Sequence, residues 1–285
     1  MIFLRGNFKK NLTKSLENVL NNEEITFLPR GYQQLGHVVV LNLHDKILNK
    51  KIIIAKSVKE LVSNCKTVCL KKGKITGEYR KPQLELLIGT ETETIVVENN
   101  IKYHFDIMEI MFAQGNVNER RRYIPLVKEN EIIFDFFAGI GYFSLGLAKF
   151  SLASKIYSFE INPISYNYLL KNIKMNKIDH EKLIPIHGDC RKNALDIPNK
   201  ADRILMGMLP SPKSSLKTAF KVLNEEFGII HYEGILHEDD SPNILLNDVE
   251  IVAKSFNRKV LLQHLQKIKS YRPHINHVCL DIEIT

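Results

Sequence analysis

At 285 residues the chain exceeds the usual size of one compact domain, which predicts a full catalytic domain with a smaller companion. Its 44% hydrophobic and 25% charged content is that of a well-cored globular protein, and no run approaches the roughly 18 uncharged apolar residues of a membrane span. Lys and Arg total 40 against 32 Asp and Glu, and the resulting net charge of +8 favours a polyanionic partner without proving one.

The opening Met1-Ile-Phe-Leu-Arg-Gly-Asn7 lacks the apolar core of a signal peptide. Among Cys65, Cys69, Cys190 and Cys279 only the first two are close, and no second Cys or His pair at zinc spacing accompanies them. Buried free thiols, a cytoplasmic location and no metal are therefore expected.

Leu12, Leu16, Val19 and Leu20 recur at helical spacing and predict an amphipathic helix over about 11–21. A buried strand over 36–43, a helix over 55–63 and a short strand over 67–70 follow. Leu84 to Ile88 and Glu93 to Val97, separated by Gly89-Thr-Glu-Thr92, predict a hairpin, so the first hundred residues make a small α+β unit.

Beyond that unit the pattern changes. Ile132-Ile-Phe-Asp-Phe-Phe-Ala-Gly-Ile-Gly141 predicts a strand, a tight glycine turn and a helix start, with the helix reaching about Lys149. Strands over 155–161 and 183–189 follow, with Pro163 opening a helix to Asn176 between them. Further strands are predicted over 201–208 and 228–233. The last two, 259–265 and 277–284, are joined too closely for a covering helix and should pair antiparallel. Seven strands in this order resemble a class I domain dependent on S-adenosylmethionine (AdoMet), an α/β Rossmann-like fold. The expected division is 1–104 for the α+β domain and 105–285 for the α/β domain.

Three acids, Asp135, Glu160 and Asp189, close successive strands. Together they suit a nucleoside with ribose hydroxyls and an exocyclic amine, as in AdoMet. Gly139 and Gly141 allow a sharp turn and close approach to a ligand. Glu160 can accept from both ribose hydroxyls, and Asp189 from the adenine amine while the Cys190 N–H donates to a ring nitrogen. The plainer readings are a helix-capping or surface acid for Glu160 and a helix cap for Asp189. At the fourth strand end the chain reads Met206-Gly-Met-Leu-Pro210, without the Asn or Asp with which an enzyme methylating a base nitrogen usually holds its nucleophile.

Several motifs in fixed order carry a more specific resemblance: Gly77-Glu-Tyr-Arg-Lys-Pro82, Phe112-Ala-Gln-Gly-Asn-Val-Asn-Glu-Arg120, Asp135-Phe-Phe-Ala-Gly-Ile-Gly141, Glu160-Ile-Asn-Pro163, Gly188-Asp-Cys-Arg191 and Asp202-Arg-Ile-Leu-Met206. Across about residues 30–285 the chain resembles the tRNA wybutosine-synthesizing protein 2 family, kin of the tRNA guanine-37 N1-methyltransferases. Methylating kin typically carry Ser-Pro-Arg where this chain has Ala113-Gln-Gly-Asn116, and Asn-Leu-Pro where it has Met208-Leu-Pro210. Both departures point to the wybutosine branch. The resemblance implies transfer of the 3-amino-3-carboxypropyl group of AdoMet to the tricyclic base 4-demethylwyosine at position 37 of tRNA-Phe, with the tRNA anticodon stem-loop as partner and a monomeric enzyme. Guanine N1 methylation, a non-catalytic RNA-binding role and aminopropyl transfer to a small molecule are the alternatives.

The residues expected at AdoMet are Ala113, Gln114, Arg120, Asp135, Phe137, Gly139, Glu160, Ile161, Asp189 and Cys190. Arg120 is also the catalytic candidate, as the guanidinium that orients the carboxylate tail; its alternative is an exposed Glu119-Arg-Arg-Arg122 run. Arg80, Arg121, Leu209 and Pro210 are expected at the tRNA. Basic clusters at 71–74, 80–81, 120–122 and 267–272 could converge on one face. His231, His264 and His277 lie on strand patterns and are expected to be packed rather than catalytic.

Overall fold

The computed structural model describes residues 7–73, 77 and 79–285. The opening segment 1–6, Lys74 of the first basic cluster and Glu78 of the 77–82 motif lie outside these residues. The chain divides into two compact units, Met1–Val97 with Lys102–Phe112 and Glu98–Ile101 with Ala113–Thr285. Among the described residues no helix is long and apolar enough to cross a membrane.

In the first unit, α1 (Phe8–Leu16) buries Phe8, Leu12 and Leu16, which share one face because they lie four residues apart. It stops short of the predicted Asn21. That residue instead caps α2 (Asn22–Thr26): its side chain accepts the Glu24 N–H, and the Glu24 carboxylate accepts the Asn21 N–H, both at 2.9 Å. Leu20 still reaches the same core, so the apolar spacing outlasts the helix.

Four strands form a sheet in sequence order, β1 (Gln33–Leu35), β2 (Val38–Leu41), β3 (Thr67–Lys71) and β4 (Leu84–Ile88). The β2–β3 pair is parallel, its crossover passing through α3 (Lys51–Leu61), and the other two pairs are antiparallel. The hairpin predicted between 84–88 and 93–97 does not form. Leu86 pairs with Cys69 of β3, whereas β5 (Glu93–Glu98) pairs with β6 (Ile101–Asp106). Asn99 and Asn100 turn that ribbon with φ of 50° and 62°, the left-handed pair a two-residue hairpin requires.

The second unit opens with α4 (Val117–Arg122) and then alternates: β7 (Ile132–Asp135), α5 (Ser144–Phe150), β8 (Lys155–Glu160), α6 (Pro163–Met175), β9 (Leu183–His187), α7 (Cys190–Asn193), β10 (Arg203–Met206), α8 (Leu216–Val222), β11 (Gly228–His237), α9 (Asn243–Ser255), β12 (Val260–Arg272) and β13 (Ile275–Ile284). The seven-stranded sheet has the order β12-β13-β11-β10-β7-β8-β9. Strands β7 to β11 are parallel, and β13 runs antiparallel between β11 and β12. Central strands such as β7 read as continuous apolar runs because both faces are covered; Ile133 and Phe134 have no exposure. Each such side chain contributes about 1.5–3 kcal/mol by burial.

The terminal strands are longer than predicted, with β12 continuing to Arg272. His231 and His277 are packed, each 1% exposed. His264 is not: it lies exposed on the edge strand, where a register shift after Leu262 breaks the alternation on which its predicted burial rested.

Candidate active site

Chain order runs outward from β7 in both directions, through β8 and β9 on one side and through β10 and β11 on the other. The crevice at such a reversal, outside the carboxyl ends of the strands, is where open α/β sheets bind ligands. Asp135 ends β7, Glu160 ends β8, and Asp189 lies two residues beyond the end of β9. Because these strands are adjacent and parallel, the three acids meet at one rim.

Each acid is held differently. The Asp135 carboxylate is 1% exposed and accepts the Ser144 hydroxyl at 2.5 Å and the Phe137 N–H at 3.4 Å, tying the strand end to the start of α5. Burial pushes its carboxyl up to about 7 against those hydrogen bonds. Glu160 accepts the Asn162 N–H on Oε1 and the Gly139 N–H on Oε2, both at 2.7 Å, and so braces the glycine turn from the next strand. Burial raises its pKa, and the two N–H groups work against the rise. A carboxylate oxygen has two acceptor directions, so Glu160 retains capacity for a diol.

Asp189 caps α7 by accepting the Arg191 N–H on Oδ1 at 2.9 Å and takes the Arg191 guanidinium mainly on Oδ2, at 2.9 Å from Nε and 2.6 Å from Nη2, with Nε also 3.0 Å from Oδ1. These bonds to Arg191 hold its carboxyl below the usual range. The helix-cap reading is therefore present in the structure, and an adenine amine would have to share an acid already engaged. Cys190 is buried, which pushes its thiol up to about 12.

Gly139 and Gly141 have φ of +58° and +95°, a region costly for any residue with a Cβ. A Cβ on Gly139 would lie 2.5 Å from the Tyr142 ring, and one on Gly141 2.5 Å from Leu145 Cγ. Phe137 and Ile161 are half-buried beside this turn.

Arg120 is not part of an exposed run. It is 5% exposed, ion-paired with Glu98, bonded through Nη2 to the Ala113 carbonyl at 2.9 Å, and set 5.2 Å above the Tyr142 ring. These contacts bring the 113–120 segment, with half-buried Ala113 and Gln114, to the glycine turn that Glu160 braces. Arg122 is likewise engaged, with Glu119 and Asp281, so only Arg121 of the run is exposed. Leu209 is half-buried and Pro210 exposed on the loop after β10, which a 2.8 Å Ser211–Tyr232 hydrogen bond attaches to β11. In the first unit, Arg80 is half-buried with φ of 52°.

Two acids escaped the sequence reading. Nothing local distinguishes Glu98, which sits at a hairpin end. Glu233 carries a signal: it interrupts the apolar run Gly228-Ile-Ile-His-Tyr-Glu-Gly-Ile-Leu236, and an acid in a buried strand needs a partner. That partner is His277, whose Nε2 lies 2.8 Å from Glu233 Oε2.

Seven strands with an antiparallel terminal pair, and a glycine turn braced by the acid of the next strand, define a class I AdoMet-dependent transferase domain. The TRM5/TYW2 methyltransferase domain matches residues 94–261, and the TYW2 N-terminal domain matches residues 12–92. The chain belongs to the TRM5/TYW2 family. It is 36% identical over 252 residues to the tRNA(Phe) (4-demethylwyosine(37)-C(7)) aminocarboxypropyltransferase of Methanocaldococcus jannaschii, covering 88% of this chain and 96% of that one. It is 33% identical over 260 residues to the tRNA (guanine(37)-N(1))-methyltransferase Trm5b of Pyrococcus abyssi, covering 91% and 76%. The crystal structure of P. horikoshii TYW2 in complex with MeSAdo is 32% identical and superposes with a TM-score of 0.84, covering 97% of this chain and 99% of that one.

Proposed function

We propose that this chain transfers the 3-amino-3-carboxypropyl group of AdoMet to the 4-demethylwyosine base at position 37 of tRNA(Phe). The observation that carries this reading is the near full-length match to an aminocarboxypropyltransferase, with the N-terminal portion matching the TYW2 domain. MeSAdo, bound in the P. horikoshii structure, is the thioether left when AdoMet gives up that chain.

A sulfonium offers three carbons to a nucleophile, and in-line approach at about 3–3.5 Å selects among them. A site that holds the adenosine and turns the methionine tail toward the base therefore changes methylation into aminocarboxypropyl transfer without a new acid or base. In this reading Glu160 takes the ribose hydroxyls, the Gly139 turn lies against the nucleoside with Phe137 and Ile161, and Asp189 and Cys190 meet the adenine. Arg120, with Ala113 and Gln114, lies at the amino-acid tail, and Asp135 holds the turn in shape through Ser144. The base enters over Leu209 and Pro210, while Arg80 and Arg121 contact the anticodon stem-loop of the tRNA.

Methyl transfer is the second reading, favoured by the similar match to Trm5b. Nucleoside mass spectrometry of tRNA incubated with AdoMet separates them: a gain of about 101 Da marks the aminocarboxypropyl group and about 14 Da a methyl, by the atoms each displacement moves. The 14 Da product would overturn the first reading.

Glu160→Ala is expected to weaken AdoMet binding by about 2–3 kcal/mol, because two charge-assisted hydrogen bonds disappear and the Gly139 turn loses its brace. Unchanged affinity in titration calorimetry would remove Glu160 from the site. Arg80→Glu is expected to weaken tRNA binding and to lower its salt slope by about one unit for each phosphate no longer neutralised. Wild-type tRNA affinity at every salt concentration would contradict this role for Arg80.

A further inference from the structure

Alkylating a ring carbon releases a proton, and the loop after β10 offers no side chain to take it. Met206-Gly-Met-Leu-Pro210 contains no acid, amide or imidazole. The adjacent strand supplies one. Met206 pairs with Tyr232, so Glu233 stands beside Gly207 at the carboxyl edge of the sheet. Its Oε1 lies 3.4 Å and Phe143 Cε2 3.1 Å from the position a Cβ on Gly207 would take, so the oxygen packs beside the loop backbone under the Phe143 ring with no Gly207 side chain between them.

We propose that Glu233, positioned by His277, accepts the proton that the target base loses as it is alkylated; the proposal rests on the transferase reading above. Glu233 and His277 are 3% and 1% exposed. Glu233 Oε2 is occupied by His277 Nε2 at 2.8 Å, while Oε1 and His277 Nδ1 have no hydrogen-bond partner among the described residues. The carboxylate can only accept, so His277 carries its hydrogen on Nε2 and leaves Oε1 as the available acceptor.

The other buried acids of this unit are committed elsewhere. Asp135 is held by Ser144 and the Phe137 N–H, Asp281 by Arg122 and His231, Glu131 by Arg203, and Glu119 by Arg122. A buried carboxylate with one unpaired oxygen is costly on its own, and a proton delivered to that oxygen removes the cost.

The step balances. The ring carbon's bond to the donor's γ-carbon forms as the C–S bond breaks, and that electron pair goes to sulfur, which becomes a neutral thioether. The ring C–H bond gives its electrons back to the ring and its proton to Glu233 Oε1. Sulfonium and carboxylate charges disappear together, with no oxidant or metal required.

The test is the single-turnover rate of transfer against pH, with AdoMet affinity measured in parallel by calorimetry and folding by thermal melting. The ionisable side chains around Glu233 are its hydrogen-bond partner His277 and Cys279 on β13, Asp135 on β7, and Tyr123 following α4. Glu233→Gln is expected to slow transfer by about 10²-fold or more, to change AdoMet affinity by less than about threefold, and to abolish the acid limb of the pH profile. His277→Asn should slow transfer by about tenfold and retain an acid limb, since the acceptor remains.

A Glu233→Gln rate within about threefold of wild type overturns the proposal. So does an acid limb that survives in this variant, or an affinity loss as large as the rate loss. If Glu233→Gln does not melt cooperatively, Glu233→Asp takes its place: a slowed rate with an acid limb supports the acceptor, and a wild-type rate overturns it. A product heavier by about 14 Da would refute the aminocarboxypropyl reading alone, because a ring N–H also loses its proton on methylation and the same rates still test Glu233.

Discussion

Arg203→Ala is expected to lower the unfolding free energy by about 3–5 kcal/mol, since it leaves a buried carboxylate without its cation. Arg203 opens β10 with 4% side-chain exposure, and its Nε and Nη2 grip both oxygens of Glu131 at 2.7 and 3.0 Å. Nη2 also donates to the Leu126 carbonyl at 2.8 Å, and Nη1 reaches His231 Nε2 at 2.7 Å. From His231 the network continues through Nδ1 to Asp281 at 2.5 Å, then to Arg122 and Glu119.

Arg203 donates to Nε2, so the imidazole donates from Nδ1 to Asp281 and is neutral; burial depresses its pKa further, against the pull of Asp281. Burial alone would raise the Asp281 carboxyl, but the His231 and Arg122 bonds hold it well below the usual range. Losing Arg203 strands Glu131 and removes one end of this network. Chemical denaturation measures the cost; a loss under about 1 kcal/mol would show that water or a shifted side chain replaces the guanidinium. Arg203→Met with Glu131→Leu should recover much of the loss, because a buried ion pair replaced by apolar volume is often neutral.

Asp135→Asn is expected to flatten the dependence of stability on pH across the window from about 4 to about 7. The folded carboxyl titrates at about 7 against an ordinary value of 3.8, so between those limits the folded protein binds a proton that the unfolded chain does not. Stability contributed by this group is therefore greatest below 3.8, falls as pH rises, and reaches its full penalty, about 4 kcal/mol, above about 7. Asparagine does not titrate, and its amide can still meet Ser144 and the Phe137 N–H. The stability difference between variant and wild type should shift in the variant's favour by up to that amount between pH 4 and pH 8, as read from paired denaturation curves. Parallel pH profiles would show that Asp135 does not titrate in this range.

Much of the second unit is legible in the amino-acid sequence. The apolar run ending in Asp135, the two glycines and Pro163 are short-range signals, set by turn sterics and by helix and strand periods of 3.6 and 2, and they place the strand–turn–helix sequence and the rim acids. The antiparallel end pair follows from a connection too short for a helix. Alternation also misleads: 84–88 and 93–97 look like a hairpin, but an alternating strand does not encode its partner, and β4 joins β3 while an Asn-Asn turn closes β5 onto β6.

Long-range pairings are beyond sequence reading for the same reason. Glu98 meets Arg120 across 22 residues, Glu233 meets His277 across 44, and Arg122 meets Asp281 across 159. Sheet order and register bring Glu233 of β11 to His277 of β13, while the packing of α4 brings Arg122 to Asp281, and neither is encoded near the residues concerned. Local sterics and periodicity thus tell which residues end strands at the rim, while tertiary packing alone decides which acids there are spent on partners and that Glu233 keeps an oxygen unpaired, because neutralising a buried charge depends on what the fold carries to within hydrogen-bonding distance of it.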